Sequence, residues 1–270
     1  MSWITARRRR PVAGYAVVLL GLLLIGAIYA VVTEGAGPAS ASVPTPAQQA
    51  QIAAGRSVFL AECATCHGMD AQGTPDVAPS LIGVGAAAVD FQVSTGRMPA
   101  KENGAENDRK VPELGPAETH AVAAYIASLG GGPPIPTAEQ VSTEGANIGL
   151  GQQLFVANCG QCHNFVGAGG ALTYGKFAPA LTASTPTQIY EAMLTGPEAM
   201  PVFNDTTITP SEKADMIGYI KAVRSQPNPG GFSLGRVGPV TEGLVAFLGV
   251  LLFMVMAALW ITAKHGKVHE

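Results

Sequence analysis

The sequence predicts an all-α chain: two tandem helical domains on the outer face of a membrane, with one transmembrane helix before them and another after them. Three observations predict this. Two 21-residue stretches carry no charge, the chain between them repeats itself in order, and neither repeat shows the alternating pattern of a half-buried strand. The balance of 47% hydrophobic to 13% charged residues excludes a disordered protein. With 33 Gly and 20 Pro, the chain is too loop-rich for long helical bundles.

The first uncharged run, Val12 to Val32, follows Arg7, Arg8, Arg9 and Arg10; the second, Gly243 to Ala263, precedes Lys264 and Lys267. At 1.5 Å per residue each spans roughly 31 Å, the thickness of a hydrocarbon core. Basic flanks stay in the cytoplasm, so both ends lie inside and the chain between them lies outside. Residues 1–41 are then an Arg-rich start with a membrane helix at 12–32. A cleaved signal peptide is the alternative, with Ala39, Ser40 and Ala41 as a small-residue site. The C-terminal membrane helix is drawn at 240–263, with 264–270 as a cytoplasmic tail. Residues 42–239 hold 10 Lys and Arg against 16 Asp and Glu, a net of −6, which argues against nucleic acid as a partner.

A shift of 96 residues lays Gly55, Phe59, Cys63, Cys66 and His67 over Gly151, Phe155, Cys159, Cys162 and His163. Further landmarks follow in order: Pro79 over Pro179, Met98-Pro99 over Met200-Pro201, and Tyr125 over Tyr219. The order predicts a duplication into self-contained domains at 45–130 and 146–226. Gly/Pro-rich linkers at 131–145 and 227–239 set them apart. Each copy opens with a short helix, in which Gly55 and Phe59, or Gly151 and Phe155, share one face at i, i+4. Each closes with a longer helix, 116–129 and 210–225, started by Pro116 or Pro210 with Glu118 or Glu212 in the first turn.

All four Cys lie in two Cys-x-x-Cys-His units, the haem c attachment signature. Two thiols one turn apart reach the two vinyl groups of a haem, and the adjacent His67 or His163 is held under the iron. Zinc needs its ligands gathered in one place, and a redox disulfide needs a βαβ setting. Structural disulfides leave the two His unexplained. Met98, 31 residues after His67, and Met200, 37 after His163, stand at matching places as sixth ligands. The metal ligands are therefore His67, Met98, His163 and Met200. His/Met ligation fills both axial positions and suits electron transfer, leaving no catalytic residue. The carbonyls of Pro79 and Pro179 are candidates to accept the ring N–H of the two His. Met69 has no counterpart in the second copy, His120 reads as an ordinary His, and His265 and His269 lie in the tail.

The copies differ in two places. The first carries a charged loop, 101–110, which reads as solvated or as a docking surface. The second carries a Gly-rich stretch, 164–171, that could admit another backbone close to the haem.

Each copy resembles class I cytochrome c in its ordered landmarks. The whole layout resembles the dihaem cytochrome c subunit of the actinobacterial cytochrome bcc (menaquinol–cytochrome c reductase) complex, with matching strings at 79–85, 91–99, 167–172 and 194–197. That resemblance implies two covalently attached haems c in an electron-transfer subunit of a translocase in the cell membrane. It implies a cytochrome b subunit and a Rieske iron–sulfur subunit as partners, and an aa-type cytochrome oxidase in a supercomplex. Electrons would pass from the Rieske protein to domain two, then through domain one to the oxidase. Two other readings compete: a dihaem subunit of another membrane oxidoreductase, and a dihaem peroxidase, which needs an iron with an open site.

Overall fold

The computed structural model describes residues 11–33, 44–102, 104, 106–227, 234 and 239–265. The Arg7–Arg10 cluster, the Ala39–Ala41 site, most of the 227–239 linker and the tail beyond His265 lie outside the described residues. The chain falls into two compact units, divided between Pro46 and Ala47.

The first unit holds α1 (Pro11–Thr33). Its stretch Gly14–Ala30 is uncharged and exposed throughout. The second unit begins with the helices of the first copy: α2 (Pro46–Glu62), α3 (Ala64–His67), α4 (Ala86–Ser94) and α5 (Pro116–Ser128). The second copy has α6 (Ile148–Asn158), α7 (Gly160–His163), α8 (Pro186–Thr195) and α9 (Pro210–Ser225). A hairpin of two-residue strands, β1 (Gly170–Ala171) and β2 (Phe177–Ala178), pairs antiparallel between α7 and α8. The last helix, α10 (Pro239–His265), contains Thr241–Ala263, with mean hydropathy 2.8 and no part buried. A helix apolar on every side and covered by nothing is suited to lipid. Among the described residues it alone is long enough to cross a membrane; Gly14–Ala30 of α1 is shorter.

In each copy the first and last helices cross. Gly55 of α2 and Gly151 of α6 are buried at the crossing, where a Cβ would overlap the backbone carbonyls of Ala121 and Asp215. Four residues on, Phe59 packs on Tyr125 and Phe155 on Tyr219, with ring centroids 5.3 and 5.5 Å apart. Both phenylalanines are almost wholly buried, each in its own copy's core. The helices α4 and α8 have no counterpart in the sequence reading. Five of nine α4 residues are buried, Ala87, Val89, Asp90, Phe91 and Val93, so the helix shows no polar face to reveal its period.

The last helix of the second copy is capped at both ends of a reciprocal pair: Thr209 Oγ1 accepts from the Glu212 N–H, and Glu212 Oε2 accepts from the Thr209 N–H at 2.8 Å. The Thr209 hydroxyl also donates to Glu212 Oε2 at 2.7 Å, and that bond first, the backbone one second, holds the Glu212 carboxyl below its usual range. Gly115 begins the corresponding α5 without a side chain, so only the Glu118 half of the box exists there, at 2.9 Å. Thr209→Ala is expected to cost about 1 kcal/mol, read as a lowered midpoint of thermal unfolding. Gly115→Ala is expected to change little at the same helix position.

Each copy has its own core, and the two copies are also bonded to each other. Helix α4 packs on α8, and Gln188 Nε2 of α8 donates to Ser94 Oγ of α4 at 3.1 Å. The described part of the 101–110 loop docks on the second copy. Asn107 N–H donates to Glu198 Oε1 at 2.8 Å, Arg109 Nη2 donates to Gln188 Oε1 at 3.1 Å, and Glu106 Oε2 accepts from Phe177 N–H at 3.2 Å. The surface it docks on therefore includes the chain's own second half.

Candidate functional site

Each Cys-x-x-Cys-His unit sits where the opening helix of its copy breaks. The opening helix ends at Glu62 or Asn158, Cys63 or Cys159 turns the chain, and a single further turn carries the second Cys and the His. Bonds from the His67 and His163 N–H to the carbonyls of Cys63 and Cys159, at 3.0 and 2.9 Å, close that turn. All four thiols are free; Cys66 and Cys162 are exposed, and Cys159 is buried. Burial, with the neighbouring groups adding to it, pushes the Cys63 and Cys159 thiols up to about 11.

His67 Nδ1 lies 2.8 Å from the Pro79 carbonyl oxygen, and His163 Nδ1 lies 2.9 Å from that of Pro179. A carbonyl can only accept, so the proton sits on Nδ1 and the Nε2 lone pair is left for a metal. Burial lowers the His163 pKa, and its bond to Pro179 opposes that shift. A low imidazole pKa keeps the ring neutral, the form that binds metal.

The proline carbonyls are placed by two glycines at matching positions in the two copies. Gly73 and Gly169 each lie six residues after the His and donate to its carbonyl, at 2.8 and 2.9 Å. Both have positive φ, +83° and +84°. A Cβ there would press on the chain at Pro79–Ser80 or Ala178–Ala180. Their identical offset from His67 and His163 was the available signal. The Gly-rich stretch of the second copy thus admits a backbone, but it is this chain's own: β2 and Pro179.

In the second copy Cys159, Cys162, His163, Pro179 and Met200 line one cavity, together with Phe155, Leu172, Ile189, Met193 and Ile220. In the first copy Cys63, Leu81 and Met98 pack against one core cluster that includes Phe59 and Tyr125. Met69 is 61% exposed and stands apart from that core. His120 lies at the surface, its Nε2 3.5 Å from Asp90 Oδ1. Two thiols, an imidazole with its far nitrogen deprotonated and a thioether, set around an apolar hollow, fit a covalently attached haem. They do not fit a hydrated cation, and no cluster of three or more His, Cys, Asp or Glu suited to a metal ion occurs among the described residues.

The comparisons agree with this chemistry. Residues 52–130 match the family model described as cytochrome c, and residues 146–220 match the one described as cytochrome C oxidase, cbb3-type, subunit III. The cbb3-type cytochrome c oxidase subunit CcoP of Rhodobacter capsulatus is 37% identical over 97 residues, 32% of each chain. Much longer matches are proteins named cytochrome bc1 complex cytochrome c subunit. That of Corynebacterium efficiens is 43% identical over 95% of this chain and 90% of its own. That of Corynebacterium diphtheriae is 42% identical over 97% and 98%, and that of Mycobacterium tuberculosis 41% over 96% and 93%. Two cytochrome c domains, each with one attachment unit, imply two covalently bound haems c. With such similarity along nearly its whole length, the chain belongs to the family of cytochrome bc1 complex cytochrome c subunits.

Proposed function

We propose that this chain relays electrons outside the membrane, from the Rieske iron–sulfur protein of its complex to the second domain, then through the first domain to an aa-type cytochrome oxidase. Family membership makes it an electron-transfer subunit of a respiratory bc1 complex. The relay is supported by one observation above the others: the two copies carry matching Cys, His, Pro and Met sets and are bonded to each other through α4, α8 and the 101–110 loop.

Cys63 and Cys66 would hold one haem, with His67 and Met98 on its iron; Cys159, Cys162, His163 and Met200 would hold the other. Bound haem supplies an iron that gains and loses a single electron. Pro79 and Pro179 fix the tautomer and plane of the two imidazoles through their carbonyls. As ligands, the Met98 and Met200 thioethers would favour the reduced state and raise the potential. With His67 and Met98 given to one iron and His163 and Met200 to the other, no open position would be left for substrate. The apolar residues Phe155, Leu172, Ile189, Met193 and Ile220 of the second-domain cavity would keep water from that iron. The basic residues Arg7 to Arg10 and Lys264 with Lys267 favour both termini inside, which puts the haem domains on the outer face.

Purification through this chain in mild detergent is expected to bring haem b, a Rieske centre and haem a in one particle. A lone cytochrome would overturn the relay. The ligands have a separate test. Met98→His and Met200→His are each expected to leave both haems attached and to lower one of two reduction potentials. If neither potential moves, these methionines are not ligands.

A further inference from the structure

The second domain's cavity is not walled by the second domain alone. Phe91, Arg97, Glu106 and Arg109 of the first domain also line it. Arg97 is the unusual member, being only 6% exposed. Its guanidinium rests over the Phe91 ring, 5.1 Å from the centroid. Its Nε and Nη1 are buried without a hydrogen-bond partner. Glu198 Oε1 lies 3.8 Å from Nε, beyond hydrogen-bond reach, and accepts instead from the Asn107 N–H at 2.8 Å.

A buried cation with unmet donors is costly, and the cost is relieved by an anion with acceptors to match. The planar guanidinium fork fits a carboxylate better than any other common anion except phosphate. Haem is an apolar macrocycle with two carboxylate side chains. Held by Cys159, Cys162, His163 and Met200, it would bring those carboxylates into a cavity whose wall already carries Arg97. Arg109, tied to Ser184 Oγ and Gln188 Oε1 of the second domain, holds the two halves of that wall together.

We propose that Arg97 of the first domain binds a carboxylate of the haem held by the second domain, so that one cofactor site is built from both domains. The assignment rests on the ligand reading above and deepens it. A cation beside the haem edge favours the electron-rich state. Loss of Arg97 therefore lowers the potential of the second haem, although the residue is next in sequence to the first haem's Met98.

The test uses the full-length chain with both haems attached. Met98→His and Met200→His first assign the two potentials to their domains. Arg97→Gln is then expected to lower the potential assigned to the second domain by about tenfold in the reduction equilibrium, ~59 mV for one electron. Arg97→Lys, which keeps the charge, is expected to retain most of the wild-type value. If Arg97→Gln moves neither potential, or only the one assigned through Met98, the cross-domain contact is wrong. If Met200→His itself moves nothing, the ligand reading fails and the proposal fails with it. The lysine variant keeps the proposal testable if glutamine prevents folding: a lysine protein whose second potential has fallen as far as full charge loss requires would also overturn it.

Discussion

Gly55→Val and Gly151→Val are each expected to unfold the copy that carries them. At both positions a Cβ would overlap a backbone carbonyl on the partner helix, Ala121 in the first copy and Asp215 in the second. A flexible side chain could move aside, but a carbonyl in the middle of a helix cannot without the whole helix moving. Separating the helices would also part Phe59 from Tyr125, or Phe155 from Tyr219, and open the core beneath. Overpacking commonly costs 1–3 kcal/mol, and a clash with backbone belongs at or above about 3. Domains of this size have about 5–15 kcal/mol in all, and small ones sit at the low end. Hydrogen exchange in the full-length protein should show α2 and α5 deprotected in the first variant, and α6 and α9 in the second. Wild-type protection in either would mean that the crossing has room to spare.

Glu191→Gln is expected to stabilise the protein, increasingly so as pH rises. Glu191 on α8 is wholly buried, and neither carboxyl oxygen has a donor. Its facing neighbour on α4 is Asp90, which lies 3.5 Å from His120 of α5. Burial first, and the Asp90 carboxylate second, push the Glu191 carboxyl from 4.5 up to about 10. Below pH 4.5 the group is neutral folded or unfolded, and it takes nothing from stability. Above that the unfolded chain loses the proton while the folded chain keeps it. Stability therefore falls as pH climbs toward 10, with a limiting slope of about 1.4 kcal/mol per pH unit. Glutamine is neutral in both states and escapes this loss. The variant's advantage should be near zero at pH 4 and reach about 3–3.5 kcal/mol at pH 7. Denaturant unfolding at the two pH values checks it; an advantage independent of pH would mean that Glu191 is ionised in the folded protein.

The frame of the molecule was readable because its signals are local or repeated. The attachment units, the two prolines and the two methionines stand in the same order in both copies, though at spacings that differ by a few residues, and duplication separates such positions from accident. The closing helices announce themselves through Pro116 and Pro210 with an acidic first turn. Helix α4 was invisible for the opposite reason: buried on most sides, Ala86 to Ser94 has no polar stripe to mark its period. Gly73 and Gly169 were hidden differently, since a glycine's role appears only when the backbone it touches is known. The contacts of Glu106, Asn107, Arg109 and Arg97 with the second copy were least legible of all. They join residues about 70–100 positions apart, and a single sequence holds no periodicity that reports on such pairs.

The loop from the first copy that clasps the second has a kinetic consequence. Two redox centres bonded into one body do not need to find each other by diffusion. On the proposed relay, exchange between them would be a first-order step at fixed separation, indifferent to protein concentration and little affected by ionic strength. Delivery to a separate, freely diffusing acceptor would be bimolecular, and with the net-acidic stretch 42–239 it would respond strongly to added salt. The internal step and the outward step can therefore be told apart by salt alone.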